Sequence, residues 1–317
     1  MKKKVFGLIG KYKLILVFLV VFIIASCVSP YFFKFTNMVN LFDQVSAYGI
    51  AACGLMFVII AGEFDISVGS IMCLASTLTV TLLNQTNSWP LTIAVLLVLG
   101  VAIGCLYGVL ILKLNISSFI ATLAGSIFYR GLAYLITQDG KPIIPEGEVY
   151  GSLATTRFLS IPSIVYIFLA CVVLIGLILK FTRFGRNVYA TGSNAEAAKY
   201  TGINVFFYKT ASFVICAWFA IFAGVMYSSR ANSANASVAA DAALTAMSGI
   251  VLGGASTSGG KGTVWGMFMG TMILGLLTNS FNLMGIDSYV QQVIKGALLI
   301  IFISIERYTY NKRLSMN

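Results

Sequence analysis

The sequence predicts an all-α polytopic membrane protein of about ten transmembrane helices, arranged as two inverted five-helix repeats. Three observations predict it. Of 317 residues, 59% are hydrophobic and only 10% charged. Soluble domains carry about 25% charged residues, so this chain has too little polar surface to coat a water-facing globule. Apolar stretches approaching the roughly 20 residues that cross a bilayer recur ten times along the chain. With the N-terminus inside, fifteen of the 21 lysines and arginines fall in cytoplasmic segments and four on the opposite side, the bias expected of a multi-pass protein.

The first span, Leu14 to Ser29, follows a basic start and contains Ile24-Ala25-Ser26-Cys27, which looks like a lipoprotein cleavage box. A lipoprotein signal precedes a soluble body, and nine further spans follow here, so this segment is expected to remain as an uncleaved helix. The second span (Val45 to Gly62) and third (Ile66 to Leu83) flank a Gly- and Ser-containing break, Ala61-Gly62-Glu63-Phe64-Asp65-Ile66-Ser67-Val68-Gly69. Trp89 to Leu112 and Ser117 to Thr137 follow, then Ile164 to Phe181, which leads into the longest basic loop, 182–208. The seventh span is Thr210 to Tyr227. The eighth, Asp241 to Gly253, is the shortest and is rich in Ala and Gly. A second break, Leu252-Gly253-Gly254-Ala255-Ser256-Thr257-Ser258-Gly259-Gly260, separates it from Thr263 to Leu277, and Tyr289 to Ile305 is the tenth span.

The two breaks resemble each other, and Ser118-Phe119-Ile120 before the fifth span parallels Ser288-Tyr289-Val290 before the tenth. A single transmembrane domain over 1–317 is expected, with repeats at approximately 14–140 and 160–305. An offset of five crossings inverts the second half, and broken helices in inverted repeats are a transporter signature, because unwound backbone at depth must line a cavity or be covered by protein.

Several chemistries are excluded. Histidine is absent, so neither a Ser-His-Asp triad nor a His-ligated zinc site can form. The six cysteines lie far apart with no Cys-x-x-Cys pair and read as small lipid-buried or core residues. Gly254 to Gly262 glances at a phosphate-binding loop but has Ala255 and Gly262 where that motif needs Gly and Ser or Thr. ATP is therefore not expected to bind this chain; no cofactor is expected, and any ATPase must be a separate polypeptide. The bases flank apolar spans and form no separate basic domain, which argues against nucleic acid as a partner.

Within the basic loop, Ser193-Asn194-Ala195-Glu196 reads as a capping box, with Ser193 accepting from the Glu196 amide. Gly202 suits a left-handed stop, giving a short cytoplasmic helix of about eight residues. Such a helix is either a solvated connector or a docking element. Ionisable groups within the membrane are expensive, which makes Glu63, Asp65, Arg130 and Lys295 functional candidates, each with a structural alternative: Glu63 and Asp65 fall near a predicted membrane boundary, Arg130 can reach the outer interface, and Lys295 can pair with a carboxylate to hold two helices.

Four motifs together resemble the permease subunits of bacterial ATP-binding-cassette importers, from about residue 40 to 305. They are Gly62-x-x-Asp65-Ile66-Ser67-Val68-Gly69-Ser70; Phe119-Ile120-Ala121-Thr122-Leu123 with Arg130-Gly131; Gly185-Arg186-Asn187-x-x-Ala190-x-Gly192 with Gly202-Ile203-Asn204; and Val251-Leu252-Gly253-Gly254 with Gly259-Gly260-x-Gly262. The group resembled is the ribose, xylose, galactose and autoinducer-2 permeases, related to branched-chain amino acid permeases. Glu63-Phe64 departs from the Gly-Ile common before the aspartate in sugar permeases. The resemblance implies a non-catalytic subunit in the bacterial inner membrane with both termini cytoplasmic. It implies pairing with a second permease copy or a paralogue, a cytoplasmic ATPase and an extracytoplasmic sugar-binding protein. The ATPase would couple through Arg186, Asn187, Ser193, Glu196 and Gly202. For a monosaccharide, Asp65, Ser67, Thr122, Gln291 and Gln292 could supply hydroxyl partners, and Phe119 and Tyr289 an aromatic face. A carrier driven by an ion gradient, with Glu63 or Asp65 carrying the proton, is the alternative class; the capped cytoplasmic helix has no clear purpose in it.

Overall fold

The computed structural model describes residues 15, 16, 18–27, 29–138, 140–297, 300, 301 and 304. Leu14, the end of the tenth predicted span and the terminal bases, including Lys2, Lys13, Arg307 and Arg313, lie outside them. Among the described residues seven helices are long and apolar enough to cross a membrane: α2 (Phe35–Ile60), α3 (Val68–Thr86), α4 (Trp89–Gly108, prolonged by a π-helical turn, Val109–Lys113), α5 (Ser118–Ile136), α7 (Ser163–Phe181), α10 (Val205–Ala231) and α12 (Val264–Leu283). Two shorter apolar helices accompany them, α1 (Phe18–Cys27) and α11 (Ala242–Leu252). Outside the apolar set are α6 (Glu148–Thr155), α8 (Arg183–Ser193) and α9 (Ala195–Tyr200), and a further helical segment occupies 288–297.

Local chemistry sets the ends. Ser88 Oγ accepts from Leu91 N at 3.4 Å at the head of α4, with Pro90 in the first turn, where its missing N–H is no loss. Asn204 and Thr263 cap α10 and α12 through Phe207 N (3.0 Å) and Gly266 N (3.0 Å). Both α3 and α10 stop at an asparagine in the left-handed region, Asn87 at φ 48° and Asn232 at φ 47°, a conformation asparagine tolerates better than most residues.

α2 is the axis of the bundle, buried almost continuously from Ala47 to Ala61. It packs on α7, α10, α11 and α12, while α10 packs on α2, α3 and α4. Small residues set the approach: a Cβ on Gly224 would overlap the Met72 carbonyl, and one on Gly253 the Gly266 carbonyl. Close backbone contact is how helices associate where no hydrophobic driving force exists. The outer faces of α4, α5 and α7 expose Val98, Ile127, Leu135 and Val173, the pattern of lipid-facing surface. A reciprocal amide pair joins α2 to α12: Asn37 Nδ2 donates to Asn279 Oδ1 at 3.1 Å and Asn279 Nδ2 to Asn37 Oδ1 at 2.9 Å.

The structure differs from expectation at four places. α11 has 11 residues, about 16 Å at 1.5 Å per residue, half of a ~30 Å hydrocarbon core; Gly254 at φ 86° ends it. The predicted connector 138–163 is structured, holding α6 and an antiparallel hairpin of β1 (Arg157–Phe158) and β2 (Ile161–Pro162), with Arg157 opposite Pro162. The capping box does not form: Ser193 is the last residue of α8, and the cap of α9 is Asn194, whose Oδ1 accepts from Ala197 N at 2.9 Å. α9 is six residues long, not eight. Finally, the two similar Gly-rich breaks stand side by side. One follows α2 and the other follows α11, and they meet at a single end of the bundle, where Gly260 N donates to Ile60 O at 2.8 Å.

Candidate functional site

The end of the bundle where the breaks meet carries α8 and α9. Thr182 Oγ1 accepts from Gly185 N at 3.1 Å and starts α8. α9 then closes in a left-handed stop: Gly202 has φ 81°, Gly202 N donates to Lys199 O (3.0 Å) and Ile203 N to Ala198 O (3.1 Å). That is the geometry for which glycine is suited. Ala198 is buried and anchors α9, while Ser193, Glu196, Lys199 and Gly202 are exposed and Tyr200 is 91% exposed. Arg186 is also exposed and Asn187 half-buried.

This element is fastened to the membrane helices by backbone. A Cβ on Gly192 would overlap the Ile60 carbonyl at the end of α2, and one on Gly259 would come within 2.6 Å of Gly62 Cα and 2.7 Å of Gly192 O. Tyr189 Oη donates to Gly262 O at 2.7 Å, and burial raises its pKa, so it remains a donor at neutral pH. α8, the end of α2 and the α11–α12 link thus form one clasp with almost no side chain between its parts.

Beside the clasp lies the predicted Glu63–Asp65 break. Asp65 is 4% exposed. Its Oδ1 accepts from Ser67 N (2.8 Å) and Ser67 Oγ (2.6 Å), and its Oδ2 from Cys216 Sγ (3.6 Å). Phe64 N donates to Ser118 Oγ and Ile66 N to Thr122 Oγ1, each at 3.2 Å. Asp65, Ser67 and Thr122 therefore come together: Ser118 and Thr122 hold the non-helical backbone to α5, while Asp65 binds Ser67 within the break and Cys216 of α10. Glu63 pairs with Lys209 of α10 at 2.7 Å. Phe119, 51% exposed, takes no part.

Arg130 serves a second non-helical stretch. Its Nη1 donates to Ala236 O at 2.9 Å and to Val238 O at 3.4 Å, and Cys73 Sγ donates to Ala236 O at 3.2 Å. Ala234, Ala236 and Ala239 of this link are buried, so its carbonyls need donors supplied by protein.

The remaining predicted residues lie at the opposite end. Gln291 is buried and donates to Asn282 Oδ1 and Ile286 O, both at 2.9 Å; Tyr289 is 76% exposed. Gln292 and Lys295 line a cavity with Asp241, and Lys295 Nζ lies 3.8 Å from Asp241 Oδ2. A second ion pair, Arg230 Nε to Asp43 Oδ2 at 2.7 Å, was not anticipated. The sequence offered a signal, an acid and a base each a few residues outside a predicted span. The hydropathy pattern ends the seventh span at Tyr227, whereas α10 runs on to Ala231, bringing Arg230 into the helix and opposite α2.

Comparison with known proteins fits this arrangement. Residues 37–303 match the family described as branched-chain amino acid transport system / permease component. The chain is 36% identical over 298 residues to the L-arabinose transport system permease protein of Escherichia coli K12, covering 94% of this chain and 90% of the relative. It is 33% identical over 295 residues to the ribose import permease protein of Haemophilus influenzae, covering 92% and 91%. It is 36% identical over 287 residues to the ribose import permease protein of Bacillus subtilis, covering 90% and 89%. No solved structure matches the chain. A match across nearly the whole helical bundle, including both Gly-rich breaks and the α8–α9 element, places the chain in the branched-chain amino acid transport system / permease component family.

Proposed function

We propose that this protein is the membrane permease subunit of an importer that moves a monosaccharide or similar small polyol inward, powered by a separate ATP-binding-cassette ATPase docked on α8 and α9. The observation that carries the reading is the clasp: an exposed, polar two-helix element joined rigidly to α2 and the α11–α12 link is built to pass force from a partner into the bundle. The substrate class is supported by the relatives, which are an arabinose and two ribose permeases.

In this reading the chain crosses the bacterial inner membrane ten times, with α8, α9 and both termini cytoplasmic. It pairs with a second copy or a paralogue and receives sugar from an extracytoplasmic binding protein. Two inverted five-crossing halves are supported by reciprocal packing. α2 packs on α10, α11 and α12, and α10 packs on α2, α3 and α4; these are equivalent sets when α2 to α4 correspond to α10 to α12. Arg186, Asn187, Ser193, Glu196 and Gly202 belong to the docking element. Asp65, Ser67, Phe119 and Thr122 contribute to the cytoplasmic end of the path, and Tyr289, Gln291 and Gln292 to the outer end.

Proteoliposomes test the energy source. Permease alone is expected not to accumulate labelled ribose or L-arabinose, and permease with its ATPase and binding protein to do so only with ATP. Accumulation driven by a proton or sodium gradient without ATPase would establish the ion-driven carrier instead.

A further inference from the structure

The hairpin ahead of α7 ends in two apolar residues that the packing of this chain does not use. Phe158 and Leu159 are 67% and 77% exposed, and Arg157 and Ser160 beside them are exposed too. Leu159 and Ser160 make the two-residue turn between β1 and β2, at φ 48° and φ 66°. Glycine, asparagine and aspartate are the residues such turns favour, because a Cβ in the left-handed region crowds the following carbonyl. Among the described residues Leu159 is the one large apolar side chain at positive φ, and its exposure means that the bundle gives little back for that strain.

The tip is nonetheless held in a fixed place. Ser163, at the head of α7, donates through N to Thr156 O at 2.8 Å and through Oγ to Leu153 O at 2.5 Å, which ties α6 and the base of the hairpin to the helix. Tyr166 Oη donates to Phe158 O at 3.0 Å, and the two rings meet edge to face with centroids 6.0 Å apart. Tyr166 is the first member of an exposed stripe on α7 that continues through Leu169, Val173 and Leu177 to Phe181, spaced at three and four residues and so on one helix face. This is the lipid-facing side of α7, and the hairpin tip continues it beyond the helix. With 19 residues, α7 is about 28 Å long at 1.5 Å per residue, just short of a ~30 Å hydrocarbon core.

We propose that Phe158 and Leu159 insert into the boundary between headgroups and acyl chains of the lipid leaflet at the end opposite the clasp, anchoring the head of α7 to the bilayer. The insertion rests on the chain spanning the membrane and not on its cargo. Continuity with the α7 stripe argues for lipid as the occupant, and so does composition. Tyr166 brings the amphipathic ring typical of membrane interfaces, and Arg157 has the reach to meet lipid phosphate while its stem lies along apolar surface. Burial of two large apolar side chains in lipid outweighs the strain of the turn. A soluble protein would need a patch of about 800 Å², and the tip offers two apolar residues on a lateral face where lipid already stands.

Spin labels test the insertion. Leu159→Cys, Val173→Cys and Tyr200→Cys are made singly in a Cys-free permease and reconstituted in vesicles of phosphatidylethanolamine and phosphatidylglycerol. Collision with dioxygen, which concentrates in hydrocarbon, is compared with collision with a neutral nickel chelate, which stays in water. The dioxygen-to-nickel ratio at 159 is expected to be several-fold above that at 200 and below that at 173. Equal ratios at 159 and 200, with 173 high, would put the tip in water and overturn the insertion while leaving the membrane-spanning reading intact. A ratio at 173 as low as that at 200 would overturn the spanning reading itself. Shielding of an otherwise water-exposed 159 label when the extracytoplasmic binding protein is added would assign the tip to that protein and overturn the lipid assignment. Should the Cys-free protein fail to fold, Leu159→Trp in the otherwise native chain gives a second reading. Its added fluorescence is expected to be quenched by lipids brominated near the top of the acyl chain and little by aqueous iodide; the reverse pattern would overturn the insertion.

Discussion

Arg130 shows how a charge inside a membrane helix can be consumed by structure. Its guanidinium satisfies two carbonyls of the unwound 232–241 link, and leaving a buried acceptor unpaired costs about 1–3 kcal/mol. Arg130→Met is therefore expected to lower the thermal midpoint of the purified permease, with Arg130→Lys intermediate because it keeps a donor without the fork. An unchanged midpoint in both would show that the link holds itself. The price of intramembrane charge made Arg130, Glu63 and Lys295 visible in the sequence, but their partners were not, since Lys209 lies 146 residues from Glu63 and no local pattern connects them. Asp65 was visible for the same reason. Its engagement by Ser67 is local, two residues along the chain, whereas that by Cys216 depends on α10 passing behind the break, which is a fact of packing.

At the scale of elements, the short helix proposed to dock the ATPase was legible in outline, and its cap and length were misassigned. Ser193 and Asn194 are both good caps, and the choice between them is made upstream: Thr182 starts α8, and α8 runs through Ser193 before the chain turns. Asn194→Ala is expected to cost about 1 kcal/mol of local helix stability, and Ser193→Ala less than about 0.5 kcal/mol. Amide exchange across 195–200 in the folded permease should separate them, and equal protection would restore the serine cap. Gly202→Val sets a β-branched residue at φ 81° with no heavy atom near its Cβ, so its cost is backbone strain alone, on the order of 1–3 kcal/mol, with the membrane helices intact. The hydropathy that located the long spans was silent on α6 and the hairpin, since amphipathic surface helices and two-residue strands carry little apolar signal.

For the whole molecule, the all-helical, multi-pass class was written in composition, and the central role of α2 and α10 was not. Both read as ordinary spans, and only the assembled bundle shows them packed together at its axis. The orientation rests on the distribution of bases and can be measured directly. In a cysteine-free background, a thiol at 196 is expected to be shielded from a membrane-impermeant reagent in intact cells while one at 146 is labelled; the reverse pattern would invert the topology. The backbone clasp also bears on engineering. Because Gly192 seats on the Ile60 carbonyl and Gly259 on Gly62, the α8–α9 loop is not a transplantable cassette, although it is contiguous in sequence. A chimera meant to accept a foreign ATPase would have to carry three distant segments together, around 60–62, 183–202 and 259–262. If α8 and α9 dock the ATPase as proposed, a graft of the loop alone is expected to give a permease that binds the new motor and idles.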